Sequence, residues 1–350
     1  MTNPIDVGVL GATGMVGQQF VQELSRHPWF RLVWLGASER SAGKKYQEAT
    51  AWRLPGPMPD EVAGRMVEEC TPAGAPKLVF SGLDAAIAGE VERSFAESGR
   101  VIVSNARNYR MDSLVPLLVP EINADHLSLL PEQRQTKSWS GAIVTNPNCS
   151  TVVLALGLAP LLEFGLKSVI VTTAQAVSGA GYPGVASLDI IGNIIPEVPG
   201  EEHKIETETQ KIFGQLRNGK IEPHDMALSA ATTRVPVING HTEMVSVEFT
   251  TCPAEADVRA AFDKFRGRPQ YGRLPSAPAR PVVYLDDALR PQPRLDADRD
   301  GGMAVSVGRL RPCSVLDYKF VVLGHNTIRG AAGAAILNAE MMHTDGLLGD

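Results

Sequence analysis

The chain has no long apolar run. Its most hydrophobic stretch, residues 152–171, is broken by Pro160, Glu163, Gly165 and Lys167, so it reads as a helix, a turn and a strand and not as a membrane span. Positive charge is not in excess either. A net charge of −6 argues against a nucleic-acid surface or a basic membrane patch, although local basic residues remain available to an anionic ligand. Cysteine is sparse. Cys70, Cys149, Cys252 and Cys313 stand far apart, without a CxxC or the Cys/His spacing of a zinc site, so no structural metal is expected. The segment from Met1 to Asp6 lacks a basic region followed by an apolar one. Reduced thiols and a cytoplasmic location are therefore expected. No internal repeat is present.

What is present fits two domains: 350 residues exceed one ordinary core, and 44% are hydrophobic. Residues 5–10 form a short apolar run ending in glycines. Helical spacing follows at Val16, Phe20, Val21 and Leu24, and residues 32–35 are apolar again. Two further runs, 78–81 and 101–104, flank a helical stretch at 85–98. This alternation predicts a doubly wound parallel sheet. Beyond Asn146 the pattern changes to alternating runs at 168–174, 241–250, 303–307 and 319–323. In the second of these Val245, Val247 and Phe249 share one face, with Ser246 and Glu248 on the other, which predicts a half-buried, largely antiparallel sheet. Residues 266–300, rich in Pro, Arg and Asp, read as a surface excursion. A last helix is expected over 326–342, with Asn326 as its cap.

The string GVLGATGMVG, residues 8–17, lies between a strand and a helix. Glycines there let the backbone turn tightly against a pyrophosphate that the helix N-terminus holds. A lone glycine motif fits an empty turn equally well; the flanking elements favour binding. At the end of the next strand, ASERSAGK at 37–44 places Ser38, Arg40, Ser41 and Lys44 where NAD-binding units usually carry an acidic residue. These suit a ribose 2′-phosphate and hence NADP, with Glu39 the feature that fits a plain polar loop.

The string TNPNCS, residues 145–150, puts Cys149 at the start of an apolar helical run capped by Asn148. The helix dipole should lower its thiol pKa, and backbone N–H groups there can hold an oxyanion. Cys70, Cys252 and Cys313 lack such a setting and are expected to be buried structural residues. His241, just after the Asn239–Gly240 turn and with Arg234 on its far side, is the first choice for acid/base work. Glu202 and Lys204 open a helix whose apolar stripe is Ile205, Thr209, Ile212, Phe213 and Leu216. Spacing alone leaves them either solvated or facing a polar substrate.

These motifs resemble aspartate-β-semialdehyde dehydrogenases of the archaeal and fungal type over nearly the whole chain. The resemblance is carried by QAVSGAGYPG at 175–184, GEEHK at 200–204 and GHNTIRGAAG at 324–333. It implies a Rossmann domain, 1–148 plus 326–350, and an α/β catalytic and dimerisation domain, 149–325, with a mixed, largely antiparallel sheet. Cys149 would be the nucleophile, Gln175 the orienter of the acyl group and His241 the acid/base. Arg234 would hold the substrate carboxylate and Glu202 its amino group, with the adjacent Glu201 the open alternative. Lys204 and Arg110, the latter in NARNYRM at 105–111, would bind phosphate. Gly11, Thr13, Gly14, Met15, Val16, Ser38, Arg40, Ser41, Ser81, Ser178, Gly179 and Asn326 would contact NADP. The implied reaction is reductive dephosphorylation of 4-phospho-L-aspartate through a Cys149 thioester, leading to lysine, threonine, methionine and isoleucine, in a homodimer or homotetramer.

A malonyl-CoA reductase of the same fold would keep Cys149, His241 and the NADP loop without needing a partner for an α-amino group. A non-catalytic nucleotide sensor would keep the glycine loop and have no use for a capped cysteine near a histidine and an arginine.

Overall fold

The computed structural model describes residues 4–348. Its first sheet is parallel throughout. The strands are β1 (Ile5–Leu10), β2 (Phe30–Ala37), β3 (Glu68–Glu69), β4 (Leu78–Ser81), β5 (Val101–Ser104) and β6 (Ala142–Thr145), in the order β3-β2-β1-β4-β5-β6. β4, β5 and β6 are buried at every position, as strands covered on both faces must be. Helices α1 (Met15–Leu24) and α2 (Ala85–Glu97) are two of the crossovers. The chain leaves β1 in one direction and returns to β4 on its other side, so the carboxyl ends of β1 and β4 flank the crevice where such sheets bind ligands.

Helix α3 (Cys149–Leu158) links this unit to a second sheet and is buried all round after its first residue. The second sheet comprises β7 (Leu166–Gln175), β10 (Ala227–Arg234), β11 (His241–Phe249), β12 (Val282–Leu285), β13 (Val305–Pro312) and β14 (Tyr318–Gly324); β8 (Gln215–Arg217) and β9 (Lys220–Glu222) form a separate hairpin. Its order is β10-β7-β11-β14-β13-β12. The inner neighbours β7, β11, β14 and β13 pair antiparallel, while both edge strands pair parallel. On β11 Val245, Val247 and Phe249 point inward, as their alternation predicts, and His241 and Glu243 share that face. Helices α4 (Glu201–Ile212) and α5 (Glu255–Lys264) follow, with Ile205, Ile212, Val258 and Phe262 in the core beneath this sheet.

Three local expectations are corrected. The 266–300 segment is not only surface: it supplies edge strand β12 and buries Leu274 and Val282. Leu216 lies in β8, past the end of α4, so the apolar stripe stops at Phe213. The last helix opens as a π turn, Ile328–Ala332, before α6 (Gly333–Thr344). Asn326 does not cap it; the Nδ1 of His325 accepts from the amides of Thr327 and Ile328 instead, at 3.3 and 3.2 Å. Ala335, Ile336, Ala339 and Met342 of α6 pack into the same core as β1 and β4. No described helix is long and apolar enough to cross a membrane.

Candidate active site

The glycine turn has the shape a pyrophosphate needs. Gly11 sits at φ +71°, where a Cβ would come within 2.8 Å of the Gly82 carbonyl at the end of β4. A Cβ on Gly17 would meet the Gly11 carbonyl at 2.1 Å. A side chain is thus excluded at Gly11 and at Gly17, and Gly14 leads directly into α1. Gln18 braces it, donating to the carbonyls of Thr13 and Ala51 and accepting from the amide of Arg53. Met15 and Val16 open α1. Past β2, the amides of Ser41 and Ala42 close a turn onto the Ser38 carbonyl, leaving Ser38 and Arg40 exposed. Lys44 donates to the Arg40 carbonyl. This is a free cation with adjacent hydroxyls, and it fits a ribose phosphate. Ser81 ends β4 with its hydroxyl buried.

Asn148 caps α3 as expected, its Oδ1 accepting from the amides of Ser150 and Thr151 at 2.9 and 3.3 Å. This places the Cys149 sulfur 3.2 Å from Nε2 of His241. The space is tight, since a Cβ on Gly330 would lie 2.7 Å from that of Cys149. The expected low thiol pKa is not found. Burial, seconded by the charge of Glu201, pushes Cys149 up to about 12, outweighing Arg110, Arg234 and the Ser150 amide. Desolvation of the charged form exceeds what one helix terminus returns. Burial likewise pulls His241 down to about 3, followed by the charges of Arg234 and His325. The resting pair is therefore thiol and neutral imidazole.

The imidazole tautomer follows from one contact. The Ala176 amide donates to Nδ1 of His241 at 3.0 Å, so Nδ1 carries the lone pair and Nε2 the proton. Nε2–H then faces the sulfur as a donor. It is placed to give a hydrogen bond to an oxygen developing on a carbon attached to Sγ, not to take the thiol proton.

Charged groups surround the pair. Nη1 of Arg234 donates to the Ala176 carbonyl at 2.8 Å and lies 3.5 Å from Oε1 of Gln175. Gly179 covers both: a Cβ there would sit 2.9 Å from Arg234 Nη1 and 3.1 Å from His241 Cε1. Ser178 accepts from Nδ2 of Asn326, whose Oδ1 accepts from the Gly240 amide, so Asn326 ties the Ser178 loop to the turn before His241. Arg110 donates to Glu208 at 3.0 Å and to the Asn105 carbonyl at 2.7 Å.

The two glutamates at the start of α4 part company. Glu201 is buried; it accepts from Lys204 at 2.7 Å and from Nδ2 of Asn148 at 2.6 Å. Glu202 is exposed, and its carboxylate accepts from the Thr232 amide on β10. A helix turns by about 100° per residue, so adjacent residues cannot share a face. The geometry puts Glu201, and not Glu202, beside Cys149. Glu208 and Lys211 were not singled out in the sequence, although Glu201, Lys204, Glu208 and Lys211 recur at helical spacing and mark a second, charged stripe on α4. Of the remaining cysteines, Cys70 and Cys313 are partly exposed and Cys252 is exposed, so the buried reading of these three is replaced. Among the described residues no three His, Cys, Asp or Glu side chains gather to hold a metal ion.

The match to known proteins spans the chain. Residues 6–130 match the semialdehyde dehydrogenase NAD binding domain, and residues 158–329 the semialdehyde dehydrogenase dimerisation domain. The aspartate-semialdehyde dehydrogenase of Methanothermobacter thermautotrophicus is 50% identical, over 97% of this chain and 99% of its own length. That of Cryptococcus neoformans is also 50% identical, over 98% of each. A crystal structure of the Candida albicans enzyme with NADP superposes with a TM-score of 0.91 at 44% identity, covering 98% of this chain and 99% of that one. On the identity, the coverage and the fold together, this chain belongs to the aspartate-semialdehyde dehydrogenase family.

Proposed function

We propose that this enzyme is an NADP-dependent aspartate-semialdehyde dehydrogenase that converts 4-phospho-L-aspartate to L-aspartate 4-semialdehyde through a thioester on Cys149. The observation that carries this reading is the Cys149–His241 contact of 3.2 Å, set among two arginines, a lysine and a buried glutamate. Such a set suits a substrate that is at once a phosphate dianion, a carboxylate and an ammonium. Arg234 takes the carboxylate, Glu201 the ammonium, Arg110 and Lys204 the phosphate, and Gln175 orients the acyl oxygen.

The sulfur of Cys149 attacks the acyl carbon, the C–O bond to phosphate breaks, and the thiol proton leaves with the phosphate. Routing the proton this way agrees with the His241 tautomer, which has no free lone pair facing the sulfur. NADPH, when bound against Gly11, Thr13, Gly14, Met15, Val16, Ser81, Ser178, Gly179 and Asn326, supplies the hydride that reduces the thioester carbon. Nε2–H of His241 supports the negative oxygen of the resulting thiohemiacetal. The C–S bond then breaks, the aldehyde forms, and the released thiolate takes a proton from solvent. The product leads toward lysine, threonine, methionine and isoleucine, and we place the enzyme in the cytoplasm.

We assign residues 1–148 and 326–350 to cofactor binding and 149–325 to catalysis and dimerisation. The packing of α6 against β1 and β4 supports the first grouping. Ile170 and Met244, exposed on neighbouring strands of the second sheet, belong to the face we assign to a homodimer or a homotetramer built from it.

Two substitutions probe the reading. Arg40→Ala removes a charge-assisted bond to the 2′-phosphate, worth about 1.5–3 kcal/mol, so KM for NADPH is expected to rise about tenfold or more and approach that for NADH. Equal use of NADH and NADPH by the wild type would refute the 2′-phosphate role. Glu201→Gln is expected to cost about tenfold or more in kcat/KM for aspartate semialdehyde, because it removes the carboxylate facing the ammonium. Glu202→Gln, at an exposed position, should stay within about threefold. The opposite ranking would return the role to Glu202. The test of the whole proposal is phosphate-dependent formation of NADPH from NADP⁺ and L-aspartate 4-semialdehyde.

A further inference from the structure

We propose that Glu208 is a positioning residue that ties the phosphate pocket to the nucleophile; this rests on the reading of Arg110 as a phosphate ligand. Glu208 lies on the same stripe of α4 as Glu201 and Lys204 and is 2% exposed. Its two carboxylate oxygens have different partners. Oε1 accepts from Arg110 at 3.0 Å, and Oε2 accepts from the backbone amide of Asn148 at 2.6 Å.

Asn148 is the residue before the nucleophile and the cap of its helix. Glu208 holds its backbone, while Glu201 holds its side chain at 2.6 Å. Two carboxylates seven residues apart on one helix thus set where Cys149 begins. At the other end of the stripe, Lys211 donates to the carbonyls of Arg110, Asp112 and Val115 at 2.6, 2.7 and 2.9 Å. Burial pulls Lys211 down to about 8. Three acceptors nevertheless require three N–H donors, which only the ammonium has. α4 therefore fixes the loop carrying Arg110 through Lys211, the guanidinium through Glu208 and the nucleophile through Asn148.

A guanidinium has five N–H donors, and Glu208 and the Asn105 carbonyl engage only two of its nitrogens. Donors remain for a phosphate, in an orientation that Glu208 sets. Only a carboxylate can accept from both the guanidinium and the amide. A glutamine offers one oxygen and one NH₂ group, so it can satisfy one partner and must oppose the other.

That difference makes the test. In Glu208→Gln the amide oxygen can remain with Asn148, while NH₂ faces the guanidinium. KM for phosphate is expected to rise about tenfold or more, as for a lost charge-assisted bond, with kcat within about threefold and KM for NADP⁺ unchanged. In an Arg110→Gln background the same change should alter the phosphate KM by less than about twofold, because its partner is already gone. A binding readout needs no turnover: with alkylation run at alkaline pH, where part of the buried thiol ionises, and read on the Cys149 peptide by mass spectrometry, inorganic phosphate should protect Cys149 from iodoacetamide in the wild type and require about tenfold more in Glu208→Gln. If the glutamine protein is too unstable to assay, Glu208→Asp keeps the charge but falls short of one partner and should show the same loss of protection. A folded Glu208 variant with unchanged phosphate KM and protection, or an equal penalty with and without Arg110, would overturn the proposal. Absence of phosphate-dependent turnover in the wild type would instead refute the functional reading, and the protection assay would still report on Glu208.

Discussion

Replacing Cys149 by alanine is expected to lower turnover by roughly 10⁴-fold or more while leaving NADPH binding within about twofold. The substitution removes one atom and adds none, so it does not strain a site where Gly330 already lies close. The cofactor turn is built by other elements: Gly11 follows β1, and its close neighbour Gly82 follows β4. Neither depends on the sulfur. The size of the effect follows from covalent catalysis, since without the sulfur neither the thioester that accepts hydride nor the thiohemiacetal that gives it up can form at the position the site holds. His241 cannot substitute, because its Nε2 carries a proton and its Nδ1 accepts from the Ala176 amide. Mass spectrometry after incubation of the wild type with aspartate semialdehyde and NADP⁺, with phosphate omitted, should find the acyl group on Cys149. Phosphate would otherwise release it. An adduct on Cys70, Cys252 or Cys313 with an active Cys149→Ala protein would sink the thioester mechanism.

The capped position of Cys149 was legible in the sequence because its signals are local. Proline, a capping asparagine and an apolar helical run are adjacent residues, and the cap forms as that pattern dictates. The parallel sheet was legible for the same reason: short apolar runs alternate with helical ones. The electrostatics of the thiol were not. A helix terminus is visible in a sequence, whereas the burial that overrides it is a sum over elements far apart in the chain. The choice between Glu201 and Glu202 lay similarly out of reach. It depends on the rotation of α4 about its axis, which is set where that helix meets the start of α3. Asn326 was misread as a cap because an asparagine before a helix usually is one; here its amide is engaged by Ser178 and Gly240 from another part of the chain. Edge strand β12 was hidden among prolines and arginines, and four residues are too few to show alternation.

Phosphate-dependent oxidation of L-aspartate 4-semialdehyde is expected to exceed any CoA-dependent reaction by about 10⁴-fold in kcat/KM. The two chemistries cannot be told apart at the acyl carbon, since malonyl-CoA would acylate Cys149 as readily as aspartyl phosphate. They differ in what surrounds it. Aspartyl phosphate brings an α-ammonium and a compact dianion; malonyl-CoA brings no ammonium and a long thioester leaving group. Glu201 is buried beside Cys149, and Lys204 is its only neutralising partner among its hydrogen bonds. In our reading an arriving phosphate draws Lys204 away, and the substrate ammonium replaces it at the carboxylate. Malonyl-CoA brings neither that phosphate nor an ammonium, so Lys204 stays on Glu201, the contacts that Arg110, Lys204 and Glu201 would make with substrate are not formed, and a site built around polar partners rejects the analogue lacking them by orders of magnitude. Lys204→Ala should then raise KM for phosphate about tenfold. Efficient malonyl-CoA reduction by the wild type, with no activity on aspartate semialdehyde, would move the substrate assignment. The roles read from Cys149, His241 and the glycine turn would stand, because none of them contacts the part of the substrate in which the two differ.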